Sequence, residues 1–263
     1  MKTLKEFHNP GVQYLFTDID DTLTDEGRLG AEAYEALWKL EKAGVSVIPV
    51  TGRPAGWCEM IARVWPVIGV VGENGGLYYR YHQKKMIRHY AIAEQQLTEN
   101  RNKLDQIVAP EILKTVKGSA LASDQFCRLF DLAIDFCEDV PALPNTDVDK
   151  IVSLFTKYGA QAKVSSIHVN GWFGAYDKLS MCKEFVSREL NLNLDLPKDR
   201  LQFAFCGDSP NDEPMFEFFE NSFAVANIHS FKNRIKTLPQ YVSKTEGGHG
   251  FVEISKVLLS LRQ

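Results

Sequence analysis

Carboxylates crowd one short stretch of the chain. In Phe16-Thr17-Asp18-Ile19-Asp20-Asp21-Thr22-Leu23-Thr24-Asp25 the apolar run Tyr14-Leu15-Phe16 leads straight into Asp18, Asp20, Asp21 and Asp25, with Glu26 next. Like charges at close quarters repel, and one of them is ordinarily driven neutral. Either the stretch is a solvated turn, or something positive sits among the acids. Read for chemistry, one carboxylate can attack as a nucleophile and a second can move a proton. Three more elements belong with it: Thr51-Gly52-Arg53, Lys178, and Gly207-Asp208-Ser209-Pro210-Asn211-Asp212. Each alone has an ordinary reading, as a turn, a strand-to-helix connection or a surface charge.

The elements that must position these groups alternate. Tyr14–Thr17 reads as a buried strand, 31–43 as a helix stopped by Gly44, and 45–50 as a short β-branched strand. Pro54 suits the first turn of the next helix, 67–71 is another strand, and Glu73-Asn74-Gly75-Gly76 closes a tight loop. The end of the chain resumes the pattern: helix 178–190, strand 201–206, short helix 211–219, strand 222–226 and a last helix 250–261. Strands separated by helices predict an α/β fold, a doubly wound and mostly parallel sheet covered on both faces. The acidic and Thr-Gly-Arg stretches then fall at strand ends, where such sheets hold ligands.

The middle differs. The stretch 93–116 is long, polar and helical, with Pro110 expected to break or kink it. Phe130, Leu132, Ile134 and Phe136 alternate with Asp131, Ala133 and Asp135, as in a half-buried strand. Thr146-Asp147-Val148-Asp149 resembles a capping box opening a helix to about Tyr158. Residues 163–170 alternate again, with Ile167 and Val169 on one face and Ser166, His168 and Asn170 on the other. This predicts an α+β insertion, 83–171, in a core of 1–82 and 172–263, with one polar sheet face turned toward something else.

The chain of 263 residues is 44% hydrophobic and 24% charged, with net charge −4. Without a basic stripe, nucleic acid is not an expected partner. No apolar run approaches the ~18 residues of a membrane helix, and the first residues lack a signal-peptide core, so no membrane association is expected. Cys58, Cys127, Cys137, Cys182 and Cys206 are odd in number and widely spaced, which predicts a reduced, cytoplasmic protein.

Taken together, Asp18-Ile19-Asp20-Asp21-Thr22, Thr51, Lys178 and Gly207-Asp208 through Asp212 resemble the haloacid dehalogenase superfamily of phosphohydrolases, whose pattern is D-x-D-x-T, Thr or Ser, Lys, and G-D-x-x-x-D. The insertion is placed like the α/β cap that one branch of the family carries between its second and third motifs. The resemblance implies Asp18 as nucleophile and Asp20 as general acid/base. It implies Mg²⁺ held by the Asp18 carboxylate, the Asp20 backbone carbonyl and Asp208, with Asp212 as a ligand or a partner of one. Thr51, the Gly52 amide and Lys178 would face the phosphoryl oxygens, and Asn211 would orient Lys178 or Asp208. Arg53 is a candidate for a phosphate or second anion, and Asn74, Ser166, His168 and Asn170 are candidates for substrate contact. Trp172 and Phe173 are expected to pack at the junction, and His249 to be a loop residue.

The implied activity is Mg²⁺-dependent hydrolysis of a small phosphorylated metabolite, a sugar phosphate, through an aspartyl phosphate. A phosphomutase or phosphotransferase is the alternative on the same fold, and a catalytically silent metabolite-binding protein the alternative of another class. The sequence leaves the choice between monomer and homo-oligomer open.

Overall fold

A computed structural model describes residues 1–165 and 167–262. Six parallel strands form the central sheet, in the order Lys2–Thr3, Tyr241–Val242, Ser222–Ala224, Phe203–Gly207, Tyr14–Thr17 and Ser46–Pro49. A parallel bridge from Val50 to Val71 carries pairing onward to Val70–Gly72, and the hairpin Leu77–His82 and Lys85–Tyr90 follows. The strands are apolar on both sides because both faces are covered. Leu15, Val47, Ala204 and Phe223 pack on one face against Leu37, Leu40, Ile254 and Leu258. Phe16, Ile48, Phe203 and Phe205 pack on the other against Met181, Phe185 and Phe219.

Between Glu94 and Trp172 the chain builds a second layer, the cap. Its sheet has four antiparallel strands, ordered Gln161–Val164, His168–Trp172, Leu132–Asp135, Ala120–Leu121. Helices cover one face: Leu104, Val108, Ile112, Ile151 and Phe155 pack on Leu132, Ile134 and Val169. The fold is thus an α/β core with an inserted α+β cap. The boundary expected after 82 falls in the turn of the Leu77–Tyr90 hairpin, so the second strand of that hairpin still pairs with the core side. At the other end Trp172 is the last residue of a cap strand, paired with Gln161.

Several local expectations are corrected. Residues 163–170 form a hairpin and not one strand; Ser165 Oγ takes the N–H groups of Ile167 and His168 and closes the turn. Ser166 lies outside the described residues. At Pro110, expected to break or kink its helix, the α-helix Glu94–Lys103 is interrupted by one wide turn, Leu104–Val108, and resumes as Ala109–Thr115 with Pro110 near its start, where a missing N–H costs least. The helix Asn145–Lys157 begins after Pro144 with no side-chain cap, so the 146–149 box does not form, and Asp147 pairs with Lys150 instead. The last helix starts earlier, at Gly247, and takes in His249.

Candidate active site

The strand ends deliver what the spacing promised. Tyr14–Thr17 and Phe203–Gly207 are adjacent and in register, Thr17 opposite Cys206, so Asp18 and Asp208 leave the sheet side by side. Carboxylate oxygens of Asp18, Asp208 and Asp212 lie within 4.8 Å of one another, all buried. Lys178 reaches both flanking acids, 2.7 Å from Asp18 Oδ1 and 2.9 Å from Asp212 Oδ1. It can do so because Asp177 caps its helix, accepting the Ser180 N–H at 2.7 Å and fixing the first turn. Asp212 also accepts the Asp208 N–H at 3.0 Å. Gly207 is required here: a Cβ would stand 2.3 Å from Asp212 Oδ2.

One ammonium does not balance this cluster. Burial pushes the Asp18 carboxyl up to about 8, with Asp212 and Asp20 adding to it and Lys178 offsetting only part. Asp208 is likewise raised by burial and by Asp212 and Asp18. Burial works against the Lys178 charge, but the two acids outweigh it and hold the ammonium above its ordinary value. A converging set of hard oxygen donors with excess negative charge fits a divalent cation such as Mg²⁺, with Asp18, Asp208 and Asp212 as the side chains at hand. Thr22 Oγ1 donates to Asp208 Oδ1 at 3.2 Å and orients it.

Asp20 is held from the next motif. Arg53 Nε stands 2.9 and 3.1 Å from its two oxygens, and a terminal nitrogen 2.8 Å from Oδ1. The buried guanidinium also lies over the Trp57 ring at 4.6 Å. Arg53, expected to bind a phosphate or a second anion, borders the cleft beside Asp18 and Gly52 with its charge already faced by Asp20, by Glu138 at 3.1 Å and by Asp124 at 3.6 Å. Thr51 is fully buried, and its hydroxyl oxygen accepts the Arg53 N–H at 2.9 Å, leaving its own proton to donate. Asn211 does not orient Lys178 or Asp208; its side chain takes the Ser209 hydroxyl at 2.8 Å and borders the cleft, while Asp212 does the orienting.

The polar cap face roofs this cleft. His168 and Asn170 border it opposite Asp18 and Gly52, together with Arg128. Asn74 sits between cap and core in a left-handed conformation, φ 54°. Its amide and that of Asn170 both donate to Asp131 Oδ2, at 3.1 and 2.9 Å. Arg128 spans the seam, donating to Gly52 O at 2.7 Å, to Asp131 Oδ1 at 3.0 Å and to both oxygens of Asp124. Glu73, wholly buried, accepts N–H groups from Ala55 at 2.8 Å on the core and from Leu129, Phe130 and Asp131 on the cap at 2.8, 2.5 and 3.1 Å. Burial and the Asp131 charge push it up to about 7, against Arg128 and those amides. Gly75 lets this loop touch the Lys178 helix: φ is +99° and a Cβ would meet Asp177 O at 2.0 Å.

Sequence reasoning missed Asp124, Arg128 and Glu138, and read Glu73 first as part of a glycine-rich turn. The Asp131–Asp135 alternation pointed to the right face, but Arg128 and Glu138 lie outside it in irregular segments. Trp172 packs at the junction as expected, stacked on Tyr176 with its ring N–H donated to Tyr176 O at 3.2 Å. Phe173 packs on the cap core with Lys103 over its ring at 4.1 Å. Among the described residues no helix is long and apolar enough to cross a membrane.

Residues 15–124 match the family model of haloacid dehalogenase-like hydrolases. A phosphoglycolate phosphatase of Methanospirillum hungatei is 28% identical over 253 residues, 92% of this chain and 95% of the relative. The crystal structure of Thermoplasma acidophilum 0175 superposes with a TM-score of 0.72 at 20% identity, covering 95% of this chain and 99% of that one. The sucrose-phosphatase of Synechocystis, solved with sucrose and phosphate, gives 0.62 at 15% identity over 94% and 98%.

Proposed function

We propose that the chain is a phosphatase of the haloacid dehalogenase-like kind, a reading supported by the family match over residues 15–124 and by the likeness to phosphoglycolate phosphatases, and that it hydrolyses a small phosphorylated metabolite through an aspartyl phosphate on Asp18, with Mg²⁺ as cofactor. The observation that carries the proposal is the buried Asp18–Lys178–Asp212 chain beside Asp208. In the first step an Asp18 carboxylate oxygen attacks phosphorus, the ester bond to the leaving oxygen breaks, and Asp20 gives that oxygen its proton. In the second, water attacks the phosphorus of the acyl phosphate, Asp20 takes the water's proton, and Asp18 and inorganic phosphate are released. Asp18, Asp208, the Asp20 backbone carbonyl and Asp212, directly or at one remove, would hold Mg²⁺, which would supply positive charge for the phosphoryl oxygens. Lys178, Thr51 and the Gly52 amide are the protein's own donors to those oxygens, and Lys178 keeps the two flanking acids apart in charge.

The substrate must be small, because the cap is seated over the cleft. Arg128, His168 and Asn170 border the cleft on the cap side; with Arg128 committed to Gly52, Asp124 and Asp131, the His168 ring and the second amide hydrogen of Asn170 suit carboxylate or hydroxyl oxygens beyond the phosphate. Phosphoglycolate, named for the curated relatives, is the first substrate to test, and a sugar phosphate, expected from the sequence, the second. Phosphate release from phosphoglycolate, hexose phosphates and p-nitrophenyl phosphate, with and without Mg²⁺, tests the reading. It fails if no ester is turned over, or if Asp208→Ala keeps the wild-type metal requirement.

A further inference from the structure

We propose that Glu138, in the cap, is a positioning residue that sets the Asp20 acid/base through Arg53 when the cap is seated. The inference rests on the phosphatase reading above, with Asp20 moving the proton. Asp135, at the end of its cap strand, folds the next residues back on themselves. Its carboxylate accepts the N–H groups of Cys137 at 2.9 Å, Glu138 at 2.8 Å and Asp139 at 2.8 Å. That turn aims Glu138 across the seam at the core. Its Oε1 lies 3.1 Å from an Arg53 terminal nitrogen, the same nitrogen that stands 2.8 Å from Asp20 Oδ1. Its Oε2 lies 2.8 Å from His168 Nε2, off the line of a hydrogen bond, so that nitrogen is buried without an aligned acceptor. The His168 ring and then Arg53 hold the Glu138 carboxyl down to about 2, against burial, so it is anionic at neutral pH.

Arg53 is borne by the core and Glu138 by the cap. The guanidinium fork on Asp20 therefore has its cap-side anchors, Glu138 at 3.1 Å and Asp124 at 3.6 Å, only when the two bodies meet. Without Glu138, the nitrogen that holds Asp20 keeps no second anion, and the guanidinium can shift over the Trp57 ring toward Asp124, carrying Asp20 along. Proton donation depends on holding the donor within hydrogen-bond reach of the leaving oxygen, and a shift of ~1 Å can cost on the order of 10²-fold. Cap closure thus completes the acid/base as well as excluding water, in the manner of induced fit.

Leaving groups separate this role from a structural one. An alkyl phosphate needs its leaving oxygen protonated, whereas p-nitrophenolate departs with little help. In Glu138→Gln the ratio of kcat/KM for phosphoglycolate to that for p-nitrophenyl phosphate should fall by about tenfold or more, within the range general acid catalysis supplies. In an Asp20→Asn background, Glu138→Gln should change that ratio no further. Glu138→Asp, which keeps the charge but shortens the reach, should lower the ratio in the same direction, and it carries the test if the Gln variant folds poorly. Equal losses for both esters, or a full further loss on top of Asp20→Asn, would overturn the proposal. If Asp20→Asn itself left phosphoglycolate turnover intact, the underlying acid/base reading would fall first, and that result is distinguishable from failure at Glu138.

Discussion

Two charged regions lie side by side in this molecule and obey opposite rules. At the strand ends, Asp18, Asp208 and Asp212 share one ammonium, Lys178. Across the seam the signs alternate, in Asp20–Arg53–Glu138 and in Asp124–Arg128–Asp131, and the Arg53–Asp124 pair at 3.6 Å joins the two rows. Surplus charge of this kind suits a place that a cation and a phosphoryl group enter, as the proposed function requires. Matched charge fixes geometry, because a buried pair with good partners resists rearrangement while a single missing partner is costly.

The contrast can be broken in order of expected effect. Asp18→Asn should remove turnover by on the order of 10⁴-fold or more, since it deletes the covalent step, yet leave folding intact; steady-state rates on a sample checked by mass spectrometry for deamidation decide it. Asp131→Ala should do the reverse, costing about 3 kcal/mol of stability by stranding Arg128 and two amides, read from denaturant midpoints. An Asp131→Ala protein as stable as the wild type would show that the seam is not a latch. Glu73 gives a pH signature. Its folded carboxyl is raised to about 7 from an ordinary 4.5, so the folded state binds the proton more tightly and stability from this group falls as pH rises from about 4.5 to about 7. Glu73→Gln should flatten that part of a Tm-against-pH curve while lowering Tm overall, because an amide NH₂ would face the N–H groups of 129–131. The smallest effect is at the solvated Lys150–Asp147 pair, where Lys150→Ala should change stability by less than about 1 kcal/mol and turnover not at all.

How much was legible follows the same division. The centre could be read because each of its groups sits at a strand end or helix start whose apolar run announces it, as Tyr14–Phe16 does for Asp18 and Leu201–Cys206 for Asp208. The seam could not. Glu73 looked like part of a glycine turn, since nothing in Gly72-Glu73-Asn74-Gly75-Gly76 says that four amides from distant segments will converge on it. Alternation correctly put His168 and Asn170 on one polar face. It ran on past Val164, however, because Ser166 and Ile167 keep the rhythm of a strand in the sequence. Asp131 and Asp135 were expected on a free polar face, and they are buried because the core covers that face. Thr146 lost its capping role to a neighbour, Pro144, whose fixed φ opens the helix first. Long-range partners are what sequence spacing does not carry, and the seam is made of them.

The central claim is that Asp18 carries the phosphoryl group. Wild-type enzyme should be quenched with acid while turning over a phosphate ester with Mg²⁺, then digested and mapped by mass spectrometry. The account predicts a phosphoryl group on the peptide bearing Asp18, at that residue, and its absence from the Asp18→Asn protein. A phosphoryl group on a different side chain, or the same modified peptide in Asp18→Asn, would contradict it.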